Sequence, residues 1–211
     1  MTINTYEEFC SYQYVSRETF NKFKIFIEVL LKWQKSVNLI SNSTIQSIWK
    51  RHFLDSAQLY SYSQEIKGNI LDIGSGAGFP GMILAIMGNN NVCLIESDQK
   101  KCIFLREVAR LTNTKVKIYN CRIEELEYME PELIISRALA PLSKLIEYVD
   151  NHMNKNIEEN KVTPKLLFLK GKNYKNEIYD LLKIRKLEID IFPSITDDFG
   201  KVLYIKNINL C

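Results

Sequence analysis

The chain has 211 residues, of which 46% are hydrophobic and 25% charged, with a formal net charge of +3. This length and composition fit a soluble globular α/β domain with an extension. No apolar run approaches the roughly 20 residues of a membrane span, and the N-terminus does not resemble a signal peptide, so we expect a cytoplasmic protein. The five cysteines form no C-x-x-C pair, which argues against a zinc site or a disulfide framework.

The N-terminal part of the chain is predicted to be helical. Apolar residues recur every three or four positions between residues 6 and 37, as they do on one face of a helix. A second helix is expected to begin at Ser43, because the spacing of Ser43 and Gln46 predicts a capping box. We therefore predict an N-terminal helical extension over residues 1–65 and an α/β domain over residues 66–211.

The most informative stretch covers residues 69–81, N-I-L-D-I-G-S-G-A-G-F-P-G. Its apolar start predicts a strand buried on both faces, and its glycines predict an open turn against which a ligand can lie. Pro80 suits the first turn of a helix that continues to Met87. A strand, an open turn and a helix N-terminus together predict a binding site for a small molecule.

Two classes of cofactor are compatible with this turn. Residues 76–81 satisfy the G-x-G-x-x-G pattern of dinucleotide-binding proteins, although Gly74 falls outside that match. From Asp72 the pattern is D-x-G-x-G-x-G, the form found in methyltransferases that use S-adenosylmethionine (SAM). Glu96 ends the next predicted strand, 20 residues after Gly76, which is the offset at which a carboxylate meets ribose hydroxyls. The candidate cofactor-binding residues from this pattern are Asp72, Gly74, Gly76, Gly78 and Glu96.

Strands and helices alternate after the glycine turn. This alternation predicts a doubly wound, mostly parallel, seven-stranded sheet. A loop and not a helix joins the last two strands, so one of them should run antiparallel, and the polar segment 154–165 should be an exposed loop. The further strands are expected at residues 91–95, 115–119, 133–136, 166–169, 187–192 and 202–208, and the helices at 99–111, 142–152 and 174–182.

The residues after the fourth strand bear on the methyl acceptor. Enzymes that methylate exocyclic nitrogens resemble one another in an N/D-P-P-Y/F motif at this place, and cytosine-C5 enzymes use a cysteine, whereas residues 136–141 here are S-R-A-L-A-P. Guanine N7 carries an in-plane lone pair, so its methylation needs no base to remove a proton. Arg137 in place of a base or nucleophile is compatible with that acceptor.

Six motifs follow one another along the chain: R-H-F-L-D-S at 51–56, L-D-I-G-S-G-A-G-F-P-G at 71–81, E-S-D-Q-K-K-C-I-F-L-R-E-V at 96–108, C-R-I-E-E at 121–125, S-R-A-L-A at 136–140 and L-K-G at 169–171. In this order they resemble the RsmG (GidB) family over about residues 20–175. The resemblance implies a Rossmann-like, SAM-dependent enzyme that methylates N7 of a guanine in bacterial 16S ribosomal RNA. It further implies SAM contacts at Gly74, Phe79, Ile123, Glu124 and Arg137, with Glu96 on the ribose.

Basic residues cluster at several separate places in the sequence, and we expect them to converge around the cofactor site and bind RNA phosphates. Each cluster alone could also be a solvated helix face. The expected partner is 16S ribosomal RNA or the small ribosomal subunit, with a monomeric protein and without membrane or metal. The candidate RNA-binding residues are Arg51, His52, Lys100, Lys101, Arg122 and Lys170.

Some alternatives remain open at the level of sequence. His52 could equally be a core or capping histidine. Arg137 could form a salt bridge with one of the glutamates at 124–132. At the level of function, a nicotinamide-dependent oxidoreductase would share Gly76 and Glu96, and an RNA-binding protein without catalysis would keep the basic clusters.

Overall fold

A computed structural model describes residue 3, residues 5–155 and residues 163–208 of the chain. The described residues form one seven-stranded sheet, in which β7 is antiparallel to both of its neighbours and the other pairs are parallel. The spatial order is β3-β2-β1-β4-β5-β7-β6, so the predicted doubly wound, mostly parallel sheet is confirmed. The strands are β1 (Asn69–Ile73), β2 (Val92–Ile95), β3 (Lys117–Tyr119), β4 (Pro131–Arg137), β5 (Lys165–Lys170), β6 (Leu187–Pro193) and β7 (Lys201–Ile208).

The helices of the α/β part agree closely with the sequence periodicity. Two of them have the predicted bounds, and the helix predicted at 142–152 ends one residue later. Asp98 caps the sixth helix, because its carboxylate accepts the amide N–H groups of Lys100 and Lys101. The helices are α1 (Tyr6–Cys10), α2 (Arg17–Trp33), α3 (Asp55–Ala57), α4 (Tyr60–Ser63), α5 (Gly81–Met87), α6 (Gln99–Leu111), α7 (Leu142–Met153) and α8 (Tyr174–Leu182).

Helices cover both faces of the sheet. Side chains of α2, α5 and α6 share one hydrophobic cluster with one face of the sheet, and side chains of α7 and α8 share a second cluster with the other. Successive residues of β1 alternate between the clusters, with Ile70 in the first and Leu71 in the second. This two-sided burial explains why the strand is a nearly continuous apolar run.

The N-terminal helices differ from the prediction. The single helical region expected over 6–37 is interrupted after Cys10, and α2 begins only after Ser16, whose hydroxyl accepts the Thr19 amide N–H. The capping box predicted from Ser43 is absent from the described structure: Asn42–Ser47 is a 3-10 helix, and Trp49–Leu54 is a π-helix. The Ser43 hydroxyl bonds instead to the Ser41 hydroxyl at 2.8 Å.

The N-terminal segment packs directly on the sheet domain. The Phe26 ring of α2 stacks on Phe79, which follows the glycine turn, with ring centroids 5.3 Å apart. Phe53 of the π-helix meets the same Phe79 ring at 5.4 Å. The hydrophobic core is therefore continuous across residue 65. The domain boundary at that position stays a prediction from the sequence.

Two further expectations concern the outside of the molecule. The polar loop predicted at 154–165 lies largely outside the described residues, which resume at residue 163. Among the described helices, none combines the length and the apolar character that crossing a membrane requires.

Candidate functional site

A cavity of about 440 Å³ lies at the carboxyl ends of β1, β2 and β4. Gly74, Gly76 and Phe79 from the turn after β1 line it, together with Glu96 after β2 and Arg137 at the end of β4. The neighbours of β1 are β2 on one side and β4 on the other, so the strand order reverses here. Open α/β sheets bind ligands at such a reversal point.

The glycine turn leaves room at one position in particular. Gly76 has φ +55°, and a Cβ built on it would meet no other atom of the described structure closer than the Gly74 carbonyl oxygen at 3.9 Å. Because Gly76 also lines the cavity, a larger side chain there would occupy cavity space. This open face is the part of the turn that can accept a ligand.

Asp72 and Gly78, two predicted cofactor contacts, are not among the residues that line the cavity, and both shape the turn. The fully buried Asp72 accepts the Gly81 amide N–H at 2.9 Å through Oδ2, and burial raises the pKa of this carboxyl to about 7. A Cβ on Gly78 would lie 2.9 Å from both Leu105 and Met82. The packing of α5 and α6 therefore leaves no room for a side chain at Gly78, whose φ is +88°.

Glu96 supports the turn and lines the cavity at the same time. Its Oε2 accepts the Gly76 amide N–H at 2.8 Å, and its Oε1 accepts the Asp98 amide N–H at 2.7 Å. A carboxylate has about four acceptor positions, so each oxygen retains capacity for a ligand hydroxyl. The N-cap of α6 is Asp98, so Glu96 is not the capping residue.

Arg137 joins the end of β4 to the N-terminal segment. Its Nη1 donates to the Arg51 carbonyl oxygen at 2.9 Å and to Asp55 Oδ2 at 3.2 Å, and its Nη2 lies 2.9 Å from His52 Nδ1. The alternative of an ion pair with a glutamate at 124–132 is therefore wrong, since the partner is Asp55. Chain folding brings these residues together although more than 80 positions separate them in sequence.

His52 is a buried, neutral member of this network. Burial, followed by the charges of Arg137 and Arg51, lowers the pKa of the imidazole to about 3. Because Arg137 can only donate, His52 Nδ1 accepts, and Nε2 carries the proton that it donates to Thr44 Oγ1 at 2.8 Å. Both ring nitrogens are engaged, so the histidine holds the wall of the site.

A second cavity, of about 330 Å³, lies on the other side of Arg137. It shares His52, Arg137 and Ala138 with the first cavity, and Lys170 and Asp197 are among its other lining residues. The Lys170 ammonium donates to the Ala140 carbonyl oxygen at 2.9 Å and forms a salt bridge of 2.6 Å with Glu177. Lys170, predicted to contact RNA, is thus held in an internal ion pair with its side chain only 9% exposed.

Comparison with known proteins identifies the family. The family model of GidB, rRNA small subunit methyltransferase G, matches residues 19–190. The chain belongs to this family. It is 39% identical over 96% of its length to Ribosomal RNA small subunit methyltransferase G of Paramagnetospirillum magneticum, with 96% of that protein covered. It is 43% identical over 91% of its length to the protein of the same name from Orientia tsutsugamushi strain Ikeda, with 92% of that protein covered.

Solved structures with lower sequence identity share the fold of this rRNA small subunit methyltransferase G family member. Magnesium protoporphyrin IX methyltransferase from Synechocystis PCC 6803, with bound SAM, matches with a TM-score of 0.59 at 11% identity, covering 92% of this chain and 99% of that one. A SAM-dependent methyltransferase from Aquifex aeolicus matches with a TM-score of 0.56 at 13% identity, covering 75% and 92%. The chain thus has the fold of these SAM-dependent methyltransferases.

The structure also places the other predicted cofactor and RNA contacts of this rRNA small subunit methyltransferase G family member. Ile123 and Glu124, predicted from the resemblance, line the first cavity, as do Lys101 and Arg122 of the predicted RNA set. Lys100 is exposed and lies in the first turn of α6, one position before Lys101. Arg51 forms an ion pair with Asp197 at 3.0 Å. These four basic residues remain predicted RNA contacts, whereas Lys170 is held in its internal ion pair.

Sequence reasoning missed one wall of the cavity. Leu39 and Ile40, in the turn after α2, line it and are buried there. Their amide N–H groups both donate to Gln34 Oε1, at 3.0 and 3.1 Å. Two adjacent apolar residues in an otherwise polar turn were the available clue. The glycine turn that lines the same cavity, however, lies far away in sequence.

The described residues were also considered as metal ligands. Within the part of the chain that the structure describes, no three His, Cys, Asp or Glu side chains are grouped so as to hold a metal ion.

Proposed function

We propose that the protein transfers the methyl group of SAM to N7 of a guanine in 16S ribosomal RNA. SAM-dependent methyl transfer to small-subunit ribosomal RNA is the activity of the family to which the chain belongs. The acceptor atom, the roles of individual residues and a monomeric enzyme acting on the RNA or the small subunit are the parts we propose.

The first cavity fits the cofactor. The open face at Gly76 accepts a ligand directly against the backbone, and the Glu96 carboxylate has acceptor capacity for ribose hydroxyls. Gly74, Phe79, Ile123 and Glu124 complete the residues that we assign to SAM. When bound, SAM supplies an electrophilic methyl group, and the protein contributes position and orientation.

The state of the groups around Arg137 supports N7 as the acceptor. The two titratable groups in contact with the guanidinium are both engaged: His52 through its two nitrogens, and Asp55 through Arg137, Gln58 and Thr196. His52 has no free nitrogen left to take a proton from a substrate, and the Asp55 carboxylate is the counter-ion of Arg137. A guanine N7 has no proton to lose, so its methylation is the chemistry that this site can perform without a base.

Arg137 is proposed to orient the guanine. A guanidinium has five N–H donors, and three of them are directed to Arg51, Asp55 and His52. The remaining donors suit the O6 acceptor that lies next to N7 on the guanine edge. The internal bonds hold the guanidinium plane in place before the substrate arrives.

The RNA is proposed to approach over the mouth of the first cavity. Lys101 and Arg122 line that mouth, and Lys100 lies beside them at the exposed start of α6. Each phosphate contact would release counterions, so RNA affinity should fall steeply with salt.

The decisive experiment maps the methylated atom. Small ribosomal subunits from cells that lack this protein would be incubated with purified protein and labelled SAM, and the product nucleoside identified by mass spectrometry and by cleavage specific for N7-methylguanosine. One new N7-methylguanosine in 16S RNA is the expected result. A methyl group on N1 or N2 of guanine would refute N7 as the acceptor. Binding of RNA and SAM without transfer of the methyl group would support the alternative of a non-catalytic RNA-binding protein. The other alternative, a nicotinamide-dependent oxidoreductase, is disfavoured by the family assignment.

A further inference from the structure

The connection between β6 and β7, residues 194–200, forms a wall of the second cavity. Ser194, Asp197 and Gly200 line that cavity, and its other walls include Arg137 and Ala138. The segment follows the last sequence motif, which ends at residue 171, and none of its residues lines the first cavity. Neither the motifs nor the cofactor site therefore accounts for its arrangement. We refer to residues 194–200 as the β6–β7 loop.

The backbone of the β6–β7 loop is held by its own hydrogen bonds. The Ser194 amide N–H donates to the Gly200 carbonyl oxygen at 3.1 Å, and the Gly200 amide N–H donates to the Asp197 carbonyl oxygen at 3.0 Å. The Phe199 amide N–H donates to Asp197 Oδ1 at 2.9 Å. The loop therefore presents its side chains in a defined arrangement.

The same loop is bound to the N-terminal segment that holds Arg137. Gln58 Oε1 accepts the Ile195 amide N–H at 3.0 Å, and the Thr196 hydroxyl donates to Asp55. Thr196 and Gln58 are both buried, with exposed fractions of 4% and 5%. Asp55 thus bonds both to Arg137 and to Thr196 of the β6–β7 loop. The loop is therefore connected through Asp55 to Arg137, which lines the first cavity.

This well-held loop exposes two apolar side chains. Phe199 is 71% exposed and Ile195 is 43% exposed. A single exposed apolar side chain is ordinary on a protein surface. Here, however, Phe199 lies in sequence between two residues that line the second cavity, Asp197 and Gly200, and that cavity shares Arg137 with the cofactor cavity.

We propose that the β6–β7 loop is an RNA-docking element, on which Phe199 stacks against an unpaired base next to the target nucleotide. Sequence-tolerant stacking on an exposed aromatic ring is a common means of holding single-stranded RNA, and an enzyme that modifies a base must take it out of the helical stack. The cations near the loop, Arg51 and Lys201, suit the phosphates on either side of such a base. The proposal rests on the proposed function only in taking RNA as the substrate.

The test measures RNA binding directly, by filter binding of a 16S RNA fragment to the full chain in the presence of SAM. Phe199→Ala should raise the dissociation constant about tenfold, as expected for the loss of one stacked base. Phe199→Trp keeps a stacking surface and should stay within about threefold of the parent. SAM affinity measured by calorimetry should be unchanged in both variants, because Phe199 lies outside the first cavity.

Tyr179→Ala provides a matched control. This tyrosine is 66% exposed on α8, two positions after Glu177, which lines the second cavity. Two positions on a helix of 3.6 residues per turn differ by about 200°, so Tyr179 faces away from the cavity. RNA affinity equal to that of the parent is the expected result for this variant.

The proposal would be overturned by unchanged RNA affinity in Phe199→Ala or by an equal loss of affinity in Tyr179→Ala. It would likewise be overturned if Phe199→Trp lost as much RNA affinity as Phe199→Ala. Weaker binding of Phe199→Ala to whole small subunits but not to the RNA fragment would also overturn it and would point to a ribosomal protein as the partner. A failure of the proposed function appears differently, as a parent protein whose methyl product is not N7-methylguanosine, and it leaves the stacking measurement valid.

Discussion

Two buried groups of opposite character should give opposing pH dependences of stability. The imidazole of His52 has a pKa lowered from 6.5 to about 3 in the folded protein, while the Asp72 carboxyl has a pKa raised from 3.8 to about 7, each chiefly by burial. Between pH 7.5 and pH 5 the unfolded chain takes up a proton at His52 and the folded chain does not. Over the same interval the folded chain takes up a proton at Asp72 and the unfolded chain does not.

The two contributions have opposite sign and similar size. Stability from a neutral buried His52 is complete above pH 6.5 and is lost as the pH falls, by about 2 kcal/mol at pH 5. The penalty for an ionised buried Asp72 is complete above about pH 7 and is relieved as the pH falls, by about 2 to 3 kcal/mol at pH 5. In the parent protein these two terms should therefore nearly cancel.

Single variants would separate them. Urea unfolding at pH 5, 6 and 7.5 would be measured for the parent, His52→Gln and Asp72→Asn, and each variant compared with the parent at the same pH, so that all other groups drop out of the difference. On acidification from pH 7.5 to 5, Asp72→Asn should lose about 2 to 3 kcal/mol relative to the parent, and His52→Gln should gain about 2 kcal/mol.

Parallel curves for His52→Gln and the parent would refute the reasoning for the histidine. They would mean that the imidazole accepts a proton in the folded protein, which is incompatible with Nδ1 accepting from Arg137 and Nε2 donating to Thr44. His52 would then be available as a base, and the case for a base-free reaction at N7 would be lost. Parallel curves for Asp72→Asn would show that the carboxyl behind the glycine turn is ionised near its ordinary pKa.

Further predictions concern the cofactor, the RNA and the reaction. Gly76→Val should abolish SAM binding in calorimetry while circular dichroism shows an intact fold, because the side chain would fill cavity space; unchanged affinity would mean that SAM binds elsewhere. Glu96→Ala should weaken SAM by about 1.5 to 3 kcal/mol, the usual contribution of a hydrogen bond to a charged group, and a change below about twofold in Kd would contradict a ribose contact. Replacing Lys100 and Lys101 together by Ala should flatten the dependence of RNA affinity on salt, and an equal slope would leave them a solvated helix face. Arg137→Lys keeps a charge beside Asp55 but cannot make the three bonds of the guanidinium. Single-turnover methyl transfer should therefore be slower, and its rate should not change with pH above neutral pH. A rate that rises through a clear pKa would show that a base is used.

The strands and the longer helices of the sheet domain could be predicted from sequence because their causes are local. Apolar runs bounded by glycine or polar residues predicted β1 and its neighbours, and periodic apolar residues predicted α6 and α8 with the observed bounds. The glycine turn and Glu96 were likewise visible, since the chain itself connects each of them to a predicted strand. The N-terminal helices were predicted less well, because the 3-10 and π-helical segments depend on packing against Phe79 and on bonds to Arg137.

The site itself depends on contacts between distant parts of the chain. Sequence alone singled out Arg137, but only the folded structure shows that Asp55, 82 positions earlier, is its partner. It likewise shows that Lys170 is held inside by Glu177, and that the β6–β7 loop reaches Asp55 from 141 positions away through Thr196. Local patterns determine which segments become strands, helices and turns, whereas the pairing of charged side chains is decided by which segments the sheet order brings to the same edge.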